Sequence, residues 1–158
     1  KNVIGSDISK KAIEDTERNL LWLKNSYKLP FRQAWVSYKI FQCDVKNLSQ
    51  KISKVDAIVT EPYLGPPLRG SESKDKIQKI IEELSFLYRD SFTEFSKIVR
   101  TGGRVVIVFP TFYINQQKQN IKMNRVIPSE FKHMNREELI YFRSDQRVQR
   151  EIIILDKK

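Results

Sequence analysis

The sequence predicts an α/β protein built on a mostly parallel sheet that ends in an antiparallel β-hairpin. Three observations carry that expectation. Two β-α-β stretches have crossovers long enough to join parallel strands, the run from Val55 to Val59 is nearly all apolar, and two strand-like segments near the C-terminus are joined by a tight turn. At 158 residues the chain fits one domain, 1–158, able to bury roughly 70% of its unfolded surface.

The elements follow in order. "NVIGSDIS" opens with a short apolar run, breaks at Gly5 and reaches Asp7 before Ser9, a natural N-cap, so it reads as strand, turn and helix. The following segment places Ala12, Ile13, Thr16, Leu20 and Leu23 at near-helical spacing with charges between them, and Pro30 lies past its end. This is an amphipathic helix of about 16 residues. "AWVSYKIFQCD" mixes β-branched and aromatic residues in a strand ending at Asp44, with Trp35 or Val36, Tyr38, Ile40 and Cys43 competing for its inward face. The run from Val55 has the composition of a central parallel strand covered on both faces.

From Lys74 to Arg100 apolar residues recur at three- and four-residue steps, from Ile77 to Ile98 or Val99, in a long helix closed by "TGG" at Thr101 to Gly103. "RVVIVFP" is another buried strand. Residues 111–135 are polar and irregular, a loop or a short helix. "LIYFRS" and "VQREIIIL", joined through "DQR", form a hairpin at the sheet edge. No internal repeat is visible.

Composition narrows the function. The 29 Lys and Arg against 19 Asp and Glu give a net charge of +10, which favours a polyanionic partner, with nucleic acid the first candidate. The excess is spread along the chain, which fits a basic surface better than a basic tail; a solvated surface without a partner fits as well. A single Cys43 excludes an internal disulfide and a cysteine zinc site, and with His133 as the one imidazole a transition-metal cluster is not expected. No membrane-length apolar run or signal-peptide pattern is present, so the chain reads as cytoplasmic, in a reducing compartment.

Three strands thus end in acidic residues: Asp7, Asp44 and Glu61. In an open parallel sheet, ligands lie beyond the carboxyl ends of the strands. A carboxylate closing a strand before a helix can accept both hydroxyls of a ribose, which suits Asp7, and Asp44 one strand over can accept from an adenine amino group, flanked by Cys43 or Val45. Each carboxylate alone also fits helix capping.

"VIGSDIS" before a helix, "FQCD", "DAIVTEPYLG", the long helix, "GG" and "RVVIVF" resemble the class I Rossmann-like methyltransferases that use S-adenosylmethionine. Within that class the acidic-Pro-Tyr turn after "DAIVT" looks most like the THUMP-associated tRNA guanosine methyltransferases, whose relatives modify exocyclic amines of adenine or cytosine in DNA. The closing "YFRSDQRVQREIIIL" resembles their hairpin. The resemblance implies S-adenosylmethionine as cofactor, held by Asp7, Ile8, Asp44 and Val45. It implies Glu61, Pro62 and Tyr63 as catalytic residues, with Gly65 and Arg69 binding substrate, and RNA, most of all tRNA, as partner.

Under that resemblance Glu61 and the carbonyl near Pro62 accept hydrogen bonds from the amine, while Tyr63 stacks on the extruded base. Two departures stand out. Such enzymes usually have Asp or Asn, two prolines and an aromatic residue, whereas Tyr63 here comes one position early and a second pair, Pro66 and Pro67, follows Gly65. A first strand and its glycine-rich turn are also missing upstream of Asp7. The expectation is therefore a Rossmann-like methyltransferase sheet with its first strand missing, a fragment of a longer catalytic domain whose gap closes by direct pairing, strand exchange or a homodimer. A DNA amino-methyltransferase and a non-catalytic RNA-binding or assembly module are the competing readings. A nicotinamide dehydrogenase shares the acidic residue after its second strand but nothing of the rest.

Overall fold

The computed structural model describes residues 2–26, 37–114, 117–143 and 146–158. The chain divides into two compact units, Lys1–Leu48 and Ser49–Lys158.

The first unit holds strand β1 (Asn2–Asp7), helix α1 (Lys10–Ser26) and strand β2 (Ser37–Gln42). The two strands pair in parallel from Asn2 opposite Ser37 to Asp7 opposite Gln42. Helix α1 starts where the sequence places its cap: Ser9 Oγ accepts from the Ala12 N–H at 3.3 Å. Of its expected inward positions, Ala12, Ile13, Leu20 and Leu23 are half-buried, while Thr16 is exposed and turns its hydroxyl back onto the Ala12 carbonyl at 2.7 Å. Pro30, Trp35 and Val36, invoked for the helix end and the next strand, lie outside the described residues.

A 3-10 helix, Val45–Gln50, leads on to β3 (Val55–Thr60), α2 (Lys74–Ile98), β4 (Val99–Ile114), β5 (Gln117–Asn120), α3 (Met123–Val126), β6 (Phe131–His133), β7 (Ile140–Tyr141) and β8 (Gln149–Lys157). The second unit has one six-stranded sheet in which β3, β4, β8 and β6 lie in that order, with β5 on β4 and β7 on β8. Only β3 and β4 run parallel there. The sheet is mixed where a mostly parallel one was expected, because residues 111–133 supply the extension of β4 and the antiparallel strands β5 and β6. Their polar sequences hide strands whose partners are remote in the chain. The C-terminal hairpin is present, with Ile140 opposite Glu151, but β8 is interior, between β4 and β6, rather than at the edge. The Ser144 and Asp145 part of its turn lies outside the described residues.

Helix α2 forms as its spacing predicts, and Ser73 caps it by accepting from the Lys76 N–H. Its face of Ile77, Ile80, Ile81, Leu84, Tyr88, Phe92, Phe95 and Ile98 is buried, together with Val105, Ile107, Phe109 and Phe112 of β4 and Ile153 and Leu155 of β8. Burying one such large apolar side chain contributes about 1.5–3 kcal/mol. The Tyr88 and Phe109 rings meet at 4.6 Å, and the Tyr88 hydroxyl donates to the Val108 carbonyl at 2.6 Å. Phe92 packs edge-on against Phe95 and against Phe131 of β6.

Two expectations are corrected. "TGG" does not close the helix: α2 ends at Ile98 with Val99 already extended, and Thr101 to Gly103 lie inside β4. They absorb a register slip, since Val55 pairs with Val99 but Ala57 with Arg104. Gly102 has φ +74°, and a Cβ on Gly103 would come within 2.9 Å of the Asp56 carbonyl oxygen, so the bulge depends on both glycines. Second, β3 is not the central strand expected, among the described strands of its sheet. It pairs with β4 alone among the described strands, and Val59 is 80% exposed. An apolar run signals a preference for burial and does not by itself fix which strand lies at the centre of the sheet.

Glu94 of α2 is buried. It accepts from the Ser49 N–H at 2.7 Å and from Lys97 Nζ at 2.5 Å. Burial alone would raise its pKa, but the Lys97 and Ser49 hydrogen bonds outweigh it and hold the carboxyl below its ordinary value of 4.5. The unfolded chain then binds this proton first as pH falls, so the contribution is present above pH 4.5 and is lost on acidification below it. Glu94→Gln is expected to flatten the acid limb of stability, read as denaturant midpoints from neutral pH down to acid; an acid limb as steep as that of the parent would contradict this role.

Candidate active site

In the first unit β1 and β2 end side by side, tied by the Cys43 N–H, which donates to the Asp7 carbonyl at 2.9 Å. Asp7 and Asp44 therefore emerge at the carboxyl ends of adjacent parallel strands. Each uses one oxygen to hold the turn that follows: Asp7 Oδ1 accepts from the Ser9 N–H at 2.7 Å and Asp44 Oδ1 from the Lys46 N–H at 3.0 Å. The capping geometry is thus realised, and it uses Oδ1 of each carboxylate rather than Oδ2. Ile8 is exposed and fixed through its carbonyl, which accepts from Gln42 Nε2 at 2.9 Å; Val45 is half-buried. Two acceptors beside an exposed aliphatic surface suit a nucleoside.

In the second unit Glu61 is the first residue past β3. The chain then turns through Pro62 and the exposed Tyr63 to Gly65, whose φ is +101°. A Cβ on Gly65 would lie 3.1 Å from Ile80 Cγ2 of α2 and 3.8 Å from Phe112 of β4. Gly65, expected to contact substrate, is half-buried, and the side of it where a Cβ would sit faces the core, which lets the turn dock. Arg69 has an exposed side chain, while its N–H and that of Gly70 both donate to Glu72 at 2.8 Å. Arg147 lies over Gly70, with Nε 3.0 Å from where a Cβ would be.

Glu61 opens onto a cleft of about 290 Å³ lined by Val108, Tyr141, Arg143, Gln146, Arg150 and Ile152. Arg150 Nε donates to Glu61 Oε1 at 3.2 Å, and Arg143 Nε donates to the Tyr141 hydroxyl at 3.2 Å. The buried Tyr88 senses the same carboxylate. Burial first, and the Glu61 charge second, push its phenol far above the usual tyrosine range, so it stays a neutral donor to Val108. The cleft thus offers an acceptor, guanidinium donors and an aromatic wall.

Among the arginines of this unit, Arg143 and Arg150 line the cleft. Arg100 and Arg104 do not: they pair with Asp56 and Asp156 at 2.7 Å each, at the opposite end of the strands. Gln146, Tyr141 and Tyr88 escape sequence reasoning. The signal for Arg150 lies in the hairpin itself, since an antiparallel last strand begins where its parallel neighbours end. Among the described residues no group of three or more His, Cys, Asp or Glu side chains is arranged to hold a metal, and no helix is long and apolar enough to cross a membrane.

The α/β fold matches that of Rossmann-like methyltransferases. The solved structures it is similar to include TrmN from Thermus thermophilus, at 18% identity and TM-score 0.54, with 99% of this chain and 44% of that chain covered. A SAM-dependent methyltransferase from Methanosarcina mazei matches at 14% identity and TM-score 0.61, covering 99% of this chain and 82% of that one. An rRNA methylase from Streptococcus thermophilus matches at 13% and 0.50, covering 99% and 87%. The chain therefore spans less than half the length of TrmN. No family model matches the sequence and no curated protein matches it.

Because Gly65 combines a left-handed backbone with contact to Ile80, Gly65→Ala is expected to destabilise the fold by about 1–3 kcal/mol, measured by denaturant unfolding. A stability equal to the parent's would mean that the turn does not need this conformation.

Proposed function

We propose that this chain is the catalytic part of an S-adenosylmethionine-dependent methyltransferase acting on an exocyclic base amine in RNA, with guanosine N2 in tRNA as the target. One observation carries this reading: Glu61, the strand-end carboxylate in the turn that resembles amine methyltransferases, opens onto a cleft furnished with Arg143, Arg150 and Tyr141. The fold of TrmN and of an rRNA methylase supports it, as does the +10 net charge.

An exocyclic amine is a poor nucleophile because its lone pair is delocalised into the ring. Glu61 and the backbone carbonyl near Pro62 accept the amine hydrogens, which favours a more tetrahedral nitrogen with its lone pair released. Proline fixes its own φ and restricts the backbone of the residue before it, so Pro62 stiffens the turn that carries Glu61. Tyr63, 62% exposed, offers its ring face to the extruded base. Arg69 is a phosphate-contacting cation.

Within the first unit Asp7 and Asp44 fit the nucleoside part of the cofactor through Oδ2, the oxygen that capping does not use, with Ile8 and Val45 as apolar flanks. S-adenosylmethionine, when bound, supplies an electrophilic methyl group. Among the described strands β3 pairs with β4 alone, and with Val59 exposed this supports the expected pairing with a further strand, including one from a second copy.

The test is transfer of labelled methyl groups to unmodified tRNA and to duplex DNA. N2-methylguanosine in the tRNA is expected, reduced about 10²–10⁴-fold by Glu61→Ala. Transfer to DNA alone would favour the DNA amino-methyltransferase reading, and full activity of Glu61→Ala would remove Glu61 from catalysis.

A further inference from the structure

Glu61 stands just outside the sheet, past the last paired residue of β3. A carboxylate on a three-torsion side chain at such a place samples many rotamers unless something holds it, and fixing it during the reaction would cost rate. Arg150 is placed to hold it. Its backbone is locked between two strands, opposite Pro110 of β4 and Tyr141 of β7. Its side chain is mostly covered, with 24% exposed against 48% for Glu61. The guanidinium makes two directed bonds: Nε to Glu61 Oε1 at 3.2 Å and Nη1 to Gln146 Oε1 at 2.7 Å.

The Gln146 bond fixes the guanidinium plane. The plane then fixes one carboxylate oxygen and leaves the other, Oε2, as acceptor. A lysine ammonium, a point charge without a fork, cannot serve both partners with the same geometry. The two residues are 89 positions apart in sequence, so this bond also ties the catalytic turn to the C-terminal strand.

We propose that Arg150, braced by Gln146, is a positioning residue that directs Glu61 Oε2 toward the substrate amine; this rests on the reading of Glu61 as the amine acceptor. Two measurements on the same proteins test it. The first is the Arg150 Nε–Hε signal in nitrogen-resolved NMR of the substrate-free chain. It is expected to be exchange-protected in the parent and to lose that protection in Glu61→Ala, which removes the acceptor; a signal unmoved by Glu61→Ala overturns the proposal.

The second is the kinetics of methyl transfer to tRNA by Arg150→Met, Arg150→Lys and Gln146→Ala. Arg150→Met is expected to lower kcat by about 10²-fold with KM nearly unchanged. Arg150→Lys is expected to recover part of that loss, and Gln146→Ala, which spares both charges, to lose several-fold. A parent chain that transfers methyl groups while Arg150→Met keeps its kcat, or loses only KM, overturns the positioning role and leaves the amine reading standing. A parent chain with the protected signal but no transfer to tRNA strikes the amine reading, and the positioning role falls with it.

Discussion

The packing of α2 on β4 is the constraint on which the second unit depends. Tyr88 sits at its centre, with its ring on Phe109 and its hydroxyl on the Val108 carbonyl. That bond is the reason a phenol can be fully buried there without an unsatisfied donor. Once α2 is seated, Ile80 and Leu84 form the surface on which Gly65 docks, and the docked turn sets where Glu61 leaves the sheet. Strand β4 meanwhile pairs with β3 on one side and β8 on the other. It therefore joins the strand that ends at the acidic residue to the strand that carries the arginine that meets it.

Core and site are thus one construction. Val108 accepts the Tyr88 hydrogen bond and also lines the cleft, and Ile152 of β8 stands near it in the same wall. A polar pair at the mouth of a strand-end cleft gains directionality from such rigid backing, because reacting groups must be held to fractions of an ångström. The first unit offers a different resource: two carboxylates at the ends of paired strands, each already anchored by a local N–H.

Much of this was legible in the sequence, for physical reasons. Helix α2 announced itself through the period of its apolar face, and β3, β4 and β8 through branched and aromatic runs. Glu61, Asp7 and Asp44 stood out because three strands end in an acid, at the end of a parallel sheet where ligands bind. The strands "QKQN" and "FKH" did not show, because their pairing is dictated by β4 and β8 rather than by their own residues. "TGG" was misread because glycines serve a helix end and a bulge alike. Arg150 stayed undistinguished among several arginines, since only the register opposite Pro110 and Tyr141 brings it to Glu61.

The central claim, that the strand-end acids serve an S-adenosylmethionine enzyme, is tested most directly by calorimetric titration of that cofactor onto the chain. Asp7→Asn and Asp44→Asn are the informative partners, since asparagine keeps the oxygen that caps the turn and loses the second acceptor. One-site binding by the parent, weakened about tenfold or more in each variant, is the predicted result. No binding, or binding equally tight in the parent and both variants, would contradict the account.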